Sequence, residues 1–331
     1  MKRCFLLKTK NYRTTFYYYE IIAEVFKQLG YQVTISQNIK DCFHEKSDVY
    51  IVGYIVDYIK LFLLGKRNVI IWMQGIRPEE SYMHDHSSLK KMIFSFLEWF
   101  TLKNVKFLIC VSNEMINHYK RKYKIDISKK SYIMPCFNTQ INKNSFYYEG
   151  KYSNNVFSYV GGLAVWQCFN ETLSLYKQIE KESNNITRLK VLTPDVDIAV
   201  DLIRKHQIVN YAVKYVKPEE LHKELNDVKF GFILRTNSPV NNVATPTKLS
   251  TYLANGIIPI LSENITDYYN LFKENQYFAF VNNQHKINDL MNMNIDGTKV
   301  FTEYNTIFNS YFSKEQHIEL MKKSLQNLPD V

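Results

Sequence analysis

Short apolar runs alternate along the chain with longer stretches in which apolar positions recur every three or four residues. Arg3–Leu7, Gln32–Ser36, Val49–Gly53, Val69–Met73 and Phe107–Val111 are of the first kind and read as strands. Phe16–Leu29 has the helical spacing and ends at Gly30, which suits a left-handed C-cap. Strand, helix and strand in this rhythm predict a parallel sheet with right-handed crossovers. Ile141–Asn155, rich in Asn, Lys, Ser and Tyr, has no clear period and reads as a connection and hinge. The pattern then begins again. Val156–Val160 leads into Gly161 and Gly162, a helix is expected near Asn170–Lys181, and further strands at Leu189–Leu192, Ala212–Val216, Lys229–Leu234, Ile257–Leu261 and near Tyr277–Val281. Ser313–Leu328 reads as an amphipathic closing helix. The expected class is α/β, with two successive doubly wound units whose ligands settle at the carboxyl ends of the strands.

Composition agrees with this division. At 331 residues the chain is too long for one ordinary core, and its 46% hydrophobic content with only ten Gly and eight Pro excludes disordered, collagen-like and repeat classes. The five cysteines are widely spaced and form no metal-binding or disulfide pattern, so reduced thiols are expected. The longest apolar stretch, Ile51–Leu64, is interrupted by Asp57 and Lys60 and cannot span a bilayer. Met1–Lys8 is too short for a secretory segment, so a cytoplasmic location is expected, at most peripheral on the inner face of the membrane. Charge separates the halves: residues 1–150 hold 23 Lys and Arg against 13 Asp and Glu, whereas residues 151–331 hold 19 against 19. The first half therefore either faces something anionic or carries a solvated basic surface.

The richest local chemistry lies between Arg235 and Lys248. A buried strand ends on Arg235, and a polar loop containing Asn241 and Asn242 follows. Thr245 then has the chemistry of an N-cap, with Pro246 at the first helical position. The helix would run through Thr247, Lys248 and Thr251 to Gly256. Unpaired N–H groups at Thr247–Lys248, flanked by Arg235 and Lys248, would make a phosphate site; the alternative is a surface Arg and a Lys lying along the protein. The loop Gly161–Gln167, with Gly161, Gly162 and Trp166, offers a second place where backbone approaches a ligand.

Tyr159–Leu163, Phe107–Asn113 and Pro246–Pro259, in this order, resemble the retaining glycosyltransferases of GT-B fold, particularly glycosyltransferase family 4 enzymes of bacterial surface-polysaccharide synthesis. The resemblance implies two Rossmann-like domains facing a cleft: residues 1–150 binding the acceptor, residues 151–312 binding a nucleotide sugar, and residues 313–331 crossing back as a closing helix. It also implies departures. The two glutamates usual in the family fall at Val243 and Thr251, its usual Arg and Lys fall near Gly162 and Trp166, and its usual His gives way to Trp72-Met73-Gln74-Gly75. Arg235 and Lys248 would then supply the positive charge for a leaving diphosphate, with no metal or other cofactor expected. Gly161, Gly162, Trp166, Asn241, Asn242, Thr245, Pro246, Thr247 and Thr251 are the expected donor-binding residues. In a front-face reaction the departing phosphate itself accepts the acceptor's proton.

On the acceptor side, Gln74, Gly75, Arg77, Glu79 and Glu80 follow a strand end and suit recognition of sugar hydroxyls, with Glu79 or Glu80 as a candidate base. The same residues also read as Pro78 opening a helix with two favourable acids. Asp195-Val196-Asp197 reads as a helix start rather than a metal motif, and His84 and His86 stand on different helix faces. Lys90–Phe100 and Lys120–Lys124 combine cations with aromatics and suit an anionic membrane surface; a core helix and a basic helix end are the alternative. The expected partners are thus a nucleotide-sugar donor, a glycan or lipid-linked glycan acceptor and that membrane surface. A catalytically silent subunit is a second reading, and nucleic-acid binding a third that no motif supports.

Overall fold

The computed structural model describes residues 2–9, 13–184 and 186–328. They form two compact units, one of the residues up to Asn138 with those from Ser313 onward, the other of Thr139–Phe312. Each is built on a six-stranded sheet in which every pairing is parallel.

In the first unit the strands are β1 (Lys2–Leu7), β2 (Tyr31–Ser36), β3 (Val49–Val52), β4 (Val69–Met73), β5 (Phe107–Cys110) and β6 (Ser131–Ile133), in the order β2-β1-β3-β4-β5-β6. β3, β4 and β5 are buried at every position, which follows from helices covering both sheet faces and explains why they stand out in sequence as uninterrupted apolar runs. β6 was not expected: three residues at the sheet edge, only one of them buried, make no run. The final helix, Lys314–Gln326, returns to this unit and packs on the helix Arg13–Gln28. His317 anchors it, with Nδ1 2.7 Å from the Tyr132 hydroxyl and the imidazole stacked on Phe137.

The second unit contains β7 (Val156–Val160), β8 (Arg188–Leu192), β9 (Tyr211–Lys214), β10 (Phe230–Ile233), β11 (Ile258–Leu261) and β12 (Ala279–Phe280), in the order β12-β11-β10-β7-β8-β9. Strand order reverses between β7 and β10 here, and between β1 and β3 in the first unit. These reversal points open crevices at the strands' carboxyl ends. The segment read as a hinge is instead packed into this unit. Phe146 is buried with its ring edge-on to Phe301, and Lys151 donates to the carbonyls of Leu225 and Asn226 at 3.1 and 3.0 Å. Its polar residues find backbone partners inside the fold, which a polar composition alone does not reveal.

Candidate functional site

The second unit's crevice is built around Tyr252 on the helix Lys248–Ala254. Its hydroxyl accepts from the Val160 N–H at 3.2 Å, and its ring lies flat on β10, where a Cβ in place of the Gly231 hydrogen would stand 2.6 Å from ring carbons. Tyr252 thereby fixes the helix across β7 and β10. Lys248, four residues earlier on the same face, is delivered to the strand ends.

Arg235 follows β10 and is only 6% exposed. Its Nη2 and the Lys248 Nζ both donate to one atom, the amide oxygen of Gln167, each at 2.8 Å. The other guanidinium arm donates to the Leu234 carbonyl at 2.8 Å, and the Lys248 ammonium lies 4.1 Å from the centre of the Tyr159 ring. Among the described residues neither cation forms an ion pair with a carboxylate. Burial lowers the pKa of both, and for Lys248 the neighbouring Arg235 lowers it further. Two buried positive charges sharing one neutral oxygen are costly in the free protein, and an anion would relieve that cost.

The surrounding loops hold this pair in place. Gly161 has φ +118°, and a Cβ there would stand 3.1 Å from Lys248 Cε, so glycine is needed for both conformation and space. The Tyr159 hydroxyl donates to the Gly162 carbonyl at 2.7 Å, and the Leu163 N–H donates to Asp195 at 3.0 Å. Asp195 immediately precedes the helix Val196–Lys205, as the reading of a helix start expects. Cys168, with φ +52°, accepts from the Thr236 N–H and ties the β7 loop to the β10 loop.

Not all the expected donor residues lie where anticipated. The helix begins at Lys248, two residues beyond Pro246, with Thr247 before it in helical geometry, and the Leu249 N–H donates to the Pro246 carbonyl at 3.1 Å. Asn241 is buried and donates to the Thr236 carbonyl at 3.0 Å, shaping the loop. The Asn242 amide, in the orientation that satisfies both of its ends, donates to the carbonyls of Asn264 and Ser238 at 3.1 and 3.0 Å. Thr251 leans its hydroxyl toward the Thr247 carbonyl at 3.4 Å, and Trp166 is half-buried in the turn Val165–Gln167. Gln167, the centre of the arrangement, escaped the sequence reading as a site residue, since a neutral amide in a loop has neither charge nor spacing to mark it.

In the first unit the expected acceptor residues divide into three places. Gln74, just beyond β4, has a buried amide nitrogen without a hydrogen-bond partner among the described residues, and the Tyr19 hydroxyl is in the same condition. Both border Gly53, where a Cβ would overlap that hydroxyl and stand 3.4 Å from the Gln74 nitrogen. The Glu80 carboxylate covers Gly75 so closely that a Cβ on Gly75 would overlap it. Burial raises the Glu80 pKa against the pull of Arg77. Arg77 itself is exposed, 5.2 Å from the centre of the Phe94 ring. Glu79 points elsewhere, to Lys122 Nζ at 2.8 Å and His118 Nε2 at 3.8 Å, because helix 77–85 turns adjacent residues to different faces.

No protein-family model matches the chain, and no curated protein matches it. Solved structures do. A glycosyltransferase from Rickettsia africae superposes with a TM-score of 0.65 at 14% identity, over 98% of this chain and 99% of that one. The E. coli trehalose-6-phosphate structure bound with UDP-2-fluoro glucose gives 0.64 at 9% identity, over 99% and 100%. S. aureus TarM, as a point mutant in complex with fondaparinux, alpha-GlcNAc-glycerol and UDP, gives 0.61 at 10% identity, over 85% of this chain and 55% of TarM. The chain thus spans about half of TarM but nearly the whole of the other two. These neighbours are GT-B glycosyltransferases, and two parallel six-stranded sheets with surrounding helices give this chain the GT-B fold.

Proposed function

We propose that the chain is a glycosyltransferase that moves a sugar from a nucleotide-diphosphate donor to a glycan acceptor, with lipid-linked surface polysaccharide as the acceptor class. The observation that carries this reading is the convergence of Arg235 and Lys248 on the neutral Gln167 oxygen, at the reversal point of the second sheet. A diphosphate oxygen is the natural replacement for that amide oxygen.

Cleavage of the sugar–phosphate bond develops positive charge at the anomeric carbon and negative charge on the leaving diphosphate. Fixed cations in a dry crevice stabilise the second without reorganising at the moment of reaction. Arg235 and Lys248 supply that charge in place of a metal ion. Retention of configuration follows if the diphosphate leaves on the face where the acceptor arrives and takes up its proton. The resemblance of Pro246–Pro259 to retaining enzymes supports that course. The donors of Tyr19 and Gln74, with the Glu80 carboxylate, suit the hydroxyls of a sugar acceptor.

Calorimetry with UDP-, GDP- and CMP-linked sugars tests the reading, and is expected to show binding of one class followed by turnover once a glycan acceptor is added. Arg235→Ala and Lys248→Ala are each expected to weaken diphosphate binding by about 1–3 kcal/mol. Unchanged affinity in both would refute the pocket, whereas binding without turnover on any acceptor would leave a silent subunit.

The first unit would work at the inner face of a membrane. Among the described residues no helix is long and apolar enough to cross one. The helix Ser88–Asn104, however, exposes Leu89, Met92, Ile93 and Phe96, a stripe at helical spacing, beside Lys90 and Lys91. Glu98, Thr101 and Leu102 face the interior instead. This face fits an anionic bilayer interface. Co-sedimentation with vesicles containing anionic lipid should fall in Phe96→Ser and with added salt; absence of co-sedimentation at low salt removes the membrane part of the reading.

A further inference from the structure

Three helices of the first unit, Arg77–Asp85, Ser88–Asn104 and Asn113–Tyr123, bring Glu79, Glu98 and His118 together. All three are buried, with exposures of 8%, 0% and 9%, and each offers a ligand atom within 4.8 Å of the others'. Among the described residues, Glu79 Oε2, Glu98 Oε1 and His118 Nε2 are buried without a hydrogen-bond partner. The remaining oxygens are occupied: Glu79 Oε1 by Lys122 at 2.8 Å, and Glu98 Oε2 by the Tyr123 hydroxyl at 2.7 Å and by Lys122 at 3.5 Å. Each carboxylate thus keeps one oxygen for the protein and turns the other into the same small space, where Glu79 Oε2 stands 3.8 Å from His118 Nε2, an ion-pair distance beyond hydrogen-bond reach.

We propose that Glu79, Glu98 and His118 form a binding site for one divalent transition-metal ion, Zn2+ by its donor set, that clamps the three helices. One imidazole nitrogen and two carboxylate oxygens suit zinc better than magnesium or calcium, which favour oxygen alone. Two buried carboxylates face the single ammonium of Lys122, so the site attracts a further cation. Arg121 and Glu114, the other charges near His118, pair with each other. Lys122, whose side chain is 22% exposed, has a path to solvent when the metal enters. The site stands on different residues from the diphosphate pocket and does not depend on the donor reading.

Equilibrium dialysis of the full chain against Zn2+, with metal measured per chain and thermal unfolding followed in parallel, tests the assignment. About one Zn2+ per chain is expected, together with a raised melting temperature. Both are expected to be lost in Glu98→Gln and in His118→Gln, and kept in the surface control His84→Gln/His86→Gln. Lys122→Met keeps every ligand and removes the competing cation, so it is expected to bind Zn2+ about tenfold more tightly, ~1.4 kcal/mol. An absence of bound metal in the wild-type chain overturns the proposal, as does stoichiometry that survives both ligand variants or is lost only in the surface control. Should a ligand variant fail to fold, Lys122→Met decides: tighter binding supports the site, and unchanged or weaker binding rejects it.

Discussion

The two units share an architecture and differ in the chemistry at their reversal points. The second sheet's crevice holds two cations on a neutral oxygen, with no carboxylate paired to either among the described residues. Around the corresponding end of the first sheet, Tyr19, Gln74 and Glu80 present neutral donors and an acid whose pKa burial has raised. One arrangement suits a phosphate, the other a sugar hydroxyl. The difference lies in a few loop residues, because the strand ends beneath both crevices are equally apolar.

The largest effect that would break this contrast comes from Arg235→Ala. With a fixed cation removed from the leaving group, turnover should fall by about 10²–10³-fold, while the pH profile of acceptor use stays in place. A loss confined to acceptor KM, with donor binding intact, would reverse the roles given to the two units.

Next in size is Gln167→Glu, which installs the missing carboxylate. Nucleotide diphosphate affinity should drop by about 1–3 kcal/mol, because the new charge occupies the place of the phosphate. The melting temperature should rise, since two buried cations gain a partner. Affinity unchanged or improved would mean that the diphosphate sits elsewhere.

A smaller effect concerns pH. The Lys248 pKa lies well below its ordinary 10.5, chiefly through burial and then through Arg235. The unfolded chain therefore holds this proton at pH values where the folded chain has released it, and stability rises with pH through the window between the two pKa values. A bound diphosphate raises the folded pKa, so binding takes up a proton and weakens as pH rises through that window. Calorimetry in buffers of different ionisation enthalpy should register the uptake within that window and lose it in Lys248→Met.

How much of this was legible beforehand depended on whether partners are local. β3, β4, β5, β10 and β11 are continuous apolar runs because helices cover both faces of a parallel sheet, and that pattern is visible one residue after another. Arg235 and Lys248 were visible as charges at a strand end and in the first turn of a helix. Gln167 was not, because only its position across the reversal point gives the amide a role. Glu79 was grouped with Glu80 by adjacency, yet its partners Glu98, His118 and Lys122 arrive from two other helices. Adjacent residues on a helix face different ways, and tertiary packing alone decides which of them meets a ligand. The polar stretch 141–155 misled for the same reason: its partners at Leu225, Asn226 and Phe301 lie far along the chain.

The smallest effect sharpens the contrast from the first unit. Glu80→Gln keeps the size of the side chain over Gly75 but removes its charge and its ability to accept a proton. If the carboxylate receives a hydrogen bond from an acceptor hydroxyl, the loss should raise acceptor KM by about tenfold, the scale of one charged hydrogen bond, and leave nucleotide diphosphate affinity unchanged. Because burial raises the Glu80 pKa, acceptor use in the wild-type chain should decline as pH falls through that raised value, at a less acidic pH than an exposed glutamate would give. The variant should flatten that limb of the profile. A limb that persists in Glu80→Gln belongs to another group, and a shift in donor affinity would show that the acid serves the phosphate rather than the sugar.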